Sequence, residues 1–180
     1  MGSTKHYNTL FLDRDGVINV HRPDDYVKTV EEFQFVDGAL EALRILASLC
    51  EHIIVVTNQR GVGKGIMSRE ALEEIHSYML EQVYIHGGRI DKIYVATDTD
   101  AAAYNRKPNP GMAMQAKADF PGVDFARSYM IGDSLSDMQF ANRVGIPAVL
   151  IGNKLSEEEL SSLRLVAQYP DLLTFAQAIQ

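Results

Sequence analysis

Cysteine is almost missing from this chain: Cys50 is the only one in 180 residues. A single thiol excludes an internal disulfide and any thiolate metal cluster. It stands at the end of an apolar helical pattern, so a buried thiol is expected rather than a reactive one. Histidine is sparse as well, and none follows His86. His76 and His86 have no partner at metal-ligand spacing, which leaves them as ordinary packed or surface histidines. There is no Lys/Arg cluster and the formal net charge is −7, which argues against a nucleic-acid backbone as partner. No apolar run reaches the roughly 18 residues of a membrane span. The segment Met1 to His6 carries no hydrophobic signal-like stretch, and a cytoplasmic location is expected.

What is present is ordinary for a globular chain, with 46% apolar and 23% charged residues. The length predicts one domain over residues 1–180, long enough for a sizeable core, and a monomer is expected. The most informative stretch runs from Leu10 to Val20. The apolar Leu10-Phe11-Leu12 reads as a buried strand that stops at two carboxylates, Asp13 and Asp15, with Gly16 turning the chain. Buried strands do not normally end this way, because charges beside a core need partners. Two converging carboxylates suit Mg²⁺, which takes few protein ligands plus phosphate oxygens. One of them is then free to attack phosphorus. The plain alternative is an N-capping Asp beside a surface Asp.

Residues 17–35 read as a long irregular stretch with Pro and Asp turn signals. Loops leaving a central strand carry ligand contacts, so His21, Arg22 and Asp24 are candidate substrate contacts as well as ordinary solvated polars. A helix is expected from about Asp37, with Leu40, Leu43, Ala47 and Cys50 on one face. Ile53 to Val56 is a β-branched run typical of a strand buried on both faces, ending in Thr57-Asn58-Gln59. The turn Arg60 to Gly65 invites a phosphate-loop reading and fails it, since Asn58 and Gly65 stand where Gly and Ser or Thr are needed. Ser68 caps a helix with Leu72, Ile75, Met79 and Val83 as its core stripe. A third strand is expected from Ile90 to Thr97, and an irregular loop leads to Arg106-Lys107-Pro108. Asn109 is expected to cap the next helix and Pro110 to open it. A fourth strand, Tyr129-Met130-Ile131, ends in Gly132-Asp133 with Asp137 following. A helix runs to about Val144 and a fifth strand from Ala148 to Ile151. Ser156 and Asp171 read as caps of further helices.

Alternating strands and helices predict an α/β fold, a doubly wound, Rossmann-like parallel sheet covered on both faces. Ligands of such sheets bind outside the carboxyl ends of the strands. There the sequence collects Asp13, Asp15, Thr57, Asn58, Lys107, Asp133 and Asp137. Acidic groups from two strands hold Mg²⁺, while a hydroxyl, an amide and a lysine bind phosphoryl oxygens. Asp15 is placed to protonate a leaving alcohol and later to activate water.

The order Asp-x-Asp-Gly, Thr-Asn, Lys-Pro, Gly-Asp-x-x-x-Asp resembles the haloacid dehalogenase (HAD) superfamily of phosphohydrolases over roughly residues 8–151. Asp13 to Asn19, Tyr26-Val27, Val56 to Gln59, Arg106-Lys107-Pro108 and Gly132 to Met138 are similar to a cap-less subgroup. That subgroup holds heptose-bisphosphate and histidinol-phosphate phosphatases. The resemblance implies Asp13 as nucleophile and Mg²⁺ ligand, Asp15 as acid/base and as a ligand through its backbone oxygen, and Asp133 as the other ligand. It also implies catalytic or phosphate-holding roles for Thr57, Asn58 and Lys107. Gln59, Arg60, Arg106 and the loop of His21, Arg22 and Asp24 are implied in substrate binding. The expected partner is a small phosphorylated sugar, a heptose 1,7-bisphosphate first and histidinol phosphate or another monoester second. Subgroup members carry a Cys/His zinc loop before Arg-Lys-Pro, but Ala96 to Asn105 contains neither residue, so no zinc is expected. A non-catalytic receiver would also be doubly wound with acidic, Thr and Lys residues. Its phosphoacceptor follows the third strand, where this chain has Ala96-Thr97. No cap domain is expected, since about forty to fifty residues separate Asp15 from Thr57 and Thr57 from Lys107.

Overall fold

A computed structural model describes residues 7–180; the stretch from Met1 to His6, read above for a signal segment, lies outside the described residues. β1 (Tyr7–Leu12) leads through a long connection to α1 (Ala39–Leu49), then β2 (Cys50–Asn58) and the one-turn helix α2 (Arg60–Gly63). α3 (Arg69–Ile85), β3 (Lys92–Ala96), α4 (Gly111–Asp119), β4 (Tyr129–Gly132) and α5 (Leu135–Val144) follow. β5 (Ala148–Ile151), α6 (Glu157–Ser161), β6 (Ala167–Tyr169) and α7 (Leu172–Ala178) complete the order. The strands form one parallel sheet in the order β3-β2-β1-β4-β5-β6. Strand order reverses between β1 and β4, the switch point at which such sheets open a crevice.

The apolar runs of the strands serve two cores at once because successive side chains point to opposite faces. Leu10, Leu12, Ile53, Val55, Ile131 and Val149 join the layer covered by α1, α3 and α7. Phe11, Ile54, Val56, Met130 and Leu150 join the layer covered by α4 and α5. Each such side chain, once fully buried, contributes about 1.5–3 kcal/mol. The doubly wound sheet expected from the sequence is therefore the one observed. Among the described residues no helix is long and apolar enough to cross a membrane.

Several local expectations shift. α1 begins at Ala39, and its buried face is Ala42, Leu43, Ile45, Leu46 and Leu49. α7 packs against it and widens the covered arc, while Leu40 and Ala47 are only partly buried. Cys50 is buried at the end of the helix as expected: its N–H closes α1 on the Leu46 carbonyl, and the same residue starts β2, paired with Tyr7. The ladder to β1 extends this strand beyond its apolar run. β3 is trimmed to the length paired with β2. Pro110 takes the cap position and α4 starts at Gly111. Asn109 instead donates to the Ala101 and Ala103 carbonyls and accepts from Arg143. β6 has no sequence signature: it is three residues long, with an exposed Gln168 in the middle, and pairs on β5.

The connection after β1 is irregular but anchored. Val17, Ile18, Val27 and Phe33 are buried. Backbone hydrogen bonds from Val36 to Ile18 (2.9 Å) and from Val20 to Gln34 (2.8 Å) close its base. Its tip, His21 to Tyr26, is thereby held beside the carboxyl ends of β1 and β4.

Candidate active site

The end of β1 is tied to β4: the Asp13 N–H donates to the Ile131 carbonyl at 3.0 Å. That bond sets Asp13 next to Asp133. Gly16, at φ +85°, permits the approach, because a Cβ there would fall 2.0 Å from Asp133 Oδ2. Carboxylate oxygens of Asp13, Asp133 and Asp137 lie within 4.8 Å of one another. Asp137 sits in the first turn of α5 and forms a capping box with Ser134. Its Oδ2 accepts from the Asp133 and Ser134 N–H groups at 3.1 Å each. Lys107 Nζ completes the cluster, 3.0 Å from Asp13 Oδ1 and 2.6 Å from Asp137 Oδ1.

Lys107 is fixed through its backbone. Asn58 Oδ1 accepts from the Lys107 N–H and Asn58 Nδ2 donates to the Lys107 carbonyl, both at 3.0 Å. Asn58 thus spends its amide on positioning the lysine. Burial would depress the ammonium, but Asp13 and Asp137 outweigh it and hold the Lys107 pKa above its ordinary value. Asp13 is pushed well above the usual carboxylate range, first by burial and then by the Asp137 charge, with Lys107 opposing. Burial also raises Asp133, which Lys154 partly offsets by a hydrogen bond.

A polar network lies beneath Asp15. Its carboxylate accepts from Arg14 Nη2 (3.0 Å), Asn19 Nδ2 (3.0 Å) and Gln59 Nε2 (2.8 Å). Burial favours the neutral acid, but the Arg14 charge and these donors prevail and keep Asp15 below its ordinary range. Arg14 is fully buried, stacks over Phe33 at 5.9 Å and meets His76 Nε2 at 3.1 Å. Burial and then the Arg14 charge push His76 from 6.5 down to about 3. The folded protein therefore keeps this imidazole neutral, while the unfolded chain takes up a proton below about pH 6.5. Its contribution is intact above that pH and is lost toward pH 3, about 2 kcal/mol by pH 5. Denaturant midpoints are expected to fall further between pH 7 and 5 for wild type than for His76→Gln. Equal falls would refute the buried neutral imidazole.

The cavity at this edge is lined by Asp13, Asp15, Gln59, Lys107, Asp133 and Asp137, with His21 and Arg22 from the loop. Thr57 is fully buried beneath Gln59, whose Nε2 donates to its hydroxyl at 2.9 Å. Asp24 and Arg60 line an adjoining cavity instead. Arg106 lines neither; its Nη1 donates to the Thr99 carbonyl at 2.6 Å. With Asn109, which holds Ala101 and Ala103, and Gln115, which holds Asn105, it fastens the loop of residues 98–105. Asp25 and Ser136 in the cavity wall, Arg14 and His76 beneath Asp15, and Lys154 on Asp133 carry no motif signal in the sequence. Asp137 was visible as an edge acid, and its second-acid spacing after Asp133 was the available signal. Gly63, in the turn that failed as a phosphate loop, has a packing reason: a Cβ there would meet the Thr97 carbonyl at 2.0 Å.

Residues 104–173 match the HAD-hydrolase-like family. A D-glycero-β-D-manno-heptose-1,7-bisphosphate 7-phosphatase of Rhodopseudomonas palustris is 39% identical over 145 residues, covering 76% of this chain and 79% of that protein. A D-glycero-α-D-manno-heptose-1,7-bisphosphate 7-phosphatase of Mycobacterium tuberculosis is 38% identical over 144 residues, covering 79% and 76%. The crystal structure of a D,D-heptose 1,7-bisphosphate phosphatase from B. bronchiseptica, complexed with magnesium and phosphate, superposes with a TM-score of 0.85. It is 29% identical and the match covers 96% of this chain and 97% of that one.

Proposed function

Because the chain belongs to the HAD family of phosphohydrolases, we propose that it removes the 7-phosphate of a D-glycero-D-manno-heptose 1,7-bisphosphate with Asp13 as nucleophile. The observation that carries this reading is the buried cluster of Asp13, Asp133 and Asp137 around Lys107 at the switch point. The donor set fits Mg²⁺. Asp13 and Asp133 offer hard oxygens close together, and burial followed by the Asp137 charge raises both pKa values, which a divalent cation relieves. Their side chains and the Asp15 backbone oxygen would hold the ion, whereas Asp137 is committed to backbone N–H groups and Lys107. Bound there, Mg²⁺ supplies charge that screens the nucleophile from an anionic substrate and stabilises the phosphoryl oxygens.

Asp13 forms its bond to phosphorus as the bond to the sugar oxygen breaks, leaving an aspartyl-phosphate. Lys107 neutralises charge on the transferring group from a position that Asn58 and Asp137 fix in advance. Asp15, ionised in the free enzyme, relays to the leaving oxygen a proton that arrives on the substrate's phosphate monoester, and later takes one from the water that hydrolyses the acyl phosphate. Arg14, Asn19 and Gln59 hold that carboxyl in place throughout. Relatives named for either anomer match at 39% and 38% identity, so the proposal extends to the bisphosphate without choosing an anomer.

The test is phosphate release from both heptose 1,7-bisphosphate anomers, heptose 7-phosphate, histidinol phosphate and fructose 1,6-bisphosphate. The heptose bisphosphate is expected to give the highest kcat/KM. Chelation is expected to abolish turnover, Mg²⁺ to restore it, and elemental analysis to find no stoichiometric zinc. Preference for histidinol phosphate, or activity surviving exhaustive chelation, would overturn the reading.

A further inference from the structure

The catalytic cavity, about 190 Å³, opens onto a second of about 460 Å³. They share His21, Arg22, Asp25, Tyr26 and Asn58, so one ligand can span both. The larger one adds Arg60 and Lys64 together with Asp24 and Ile66. The bulk of a substrate beyond its reacting phosphate fits there.

Charge in this second cavity is unevenly matched. Asp25 is already engaged by Arg22 at 3.2 Å and Lys28 at 2.8 Å. Among the described residues, neither Arg60 nor Lys64 joins an ion pair. Arg60 Nε is buried without a hydrogen-bond partner, and a donor sealed from water in this way is costly until an acceptor reaches it. The two cations lie one helical turn apart, since the Lys64 N–H closes α2 on the Arg60 carbonyl, so both project from one side. Lys64 Nζ rests 5.7 Å from the Tyr26 ring centroid, at the wall between loop and cavity. Arg106, expected to read substrate, is turned away onto the Thr99 carbonyl.

We propose that Arg60 and Lys64 form a subsite for a second phosphate of the substrate. This rests on the phosphatase reading above and, under it, receives the 1-phosphate while the 7-phosphate sits at Asp13. A guanidinium fork and an ammonium are the pair that phosphate recognition favours. They leave the reacting phosphate to Lys107, which explains how one anion is chosen for attack and the other only held.

The experiment compares kcat/KM on sugar bisphosphates with kcat/KM on p-nitrophenyl phosphate, for wild type and for Arg60→Ala/Lys64→Ala. The preference ratio is expected to fall on the order of 10²-fold, mainly through KM on the bisphosphate, as for two lost charge-assisted contacts. Arg60→Lys is expected to restore part of the ratio in a Lys64 background. Arg60→Gln/Lys64→Gln serves the same purpose if the alanine pair fails to fold. A ratio unchanged within twofold, or a wild type without preference for bisphosphates, overturns the subsite. If fructose 1,6-bisphosphate outperforms the heptose compound and its ratio still collapses, the heptose reading fails and the subsite stands.

Discussion

Asp13→Asn is expected to lower phosphate release by on the order of 10⁴-fold or more, the scale seen when a nucleophile is removed. An amide attacks phosphorus poorly and brings no charge for a hard cation. Asp15 cannot take over, because Arg14, Asn19 and Gln59 hold its carboxylate. The same substitution separates chemistry from folding. Asp13 is buried, and Asp137, Asp15 and Asp133 all disfavour its charge. Losing that charge removes repulsion, while Lys107 keeps its 2.6 Å contact with Asp137. The melting temperature in metal-free buffer is therefore expected to hold or rise, as where an active site carries strain that stability would remove. Turnover within tenfold of wild type would refute Asp13 as nucleophile. A parallel fall of activity and melting temperature would make the carboxylate structural.

The edge of the sheet was legible because its strands announce themselves twice, by apolar runs and by the polar residues that stop them. Leu12 before Asp13, Val56 before Thr57 and Ile131 before Gly132-Asp133 each show a core strand ending at a crevice. What could not be read depends on partners distant in sequence. Arg14 looks like a spacer between two acids, yet it is fully buried against His76, 62 positions away. The inward stripe of α3 passes close to His76 but cannot say which group it will meet. Asn58 lines the cavity where a phosphate contact is expected, and no sequence signal shows that its amide also closes on the Lys107 backbone, 49 positions on. Arg106 and Asn109 brace a loop whose sequence shows only that Cys and His are missing. Residue type and spacing show where charge must gather, and the long-range hydrogen bonds decide which group carries the chemistry and which one holds it.

Lys107→Ala is expected to reduce kcat by on the order of 10²- to 10³-fold, the usual cost of one preorganised donor in a water-poor site. The side chain is 2% exposed and spans Asp13 and Asp137. Its removal leaves two buried carboxylates facing each other without a cation, a loss of about 3–5 kcal/mol in stability. Rate and stability would then fall together, and the single variant cannot tell a catalytic ammonium from a structural counter-ion. A second substitution separates them. Asp137→Asn in the Lys107→Ala background removes the repulsion while its amide can still cap α5. The pair is close enough for strong coupling in a double-mutant cycle. Stability is expected to return and kcat to stay low, because no donor remains at the transferring phosphoryl group. Recovery of wild-type kcat in the double variant would reduce Lys107 to a counter-ion. A rise in KM alone would assign it to uniform binding rather than to the transition state.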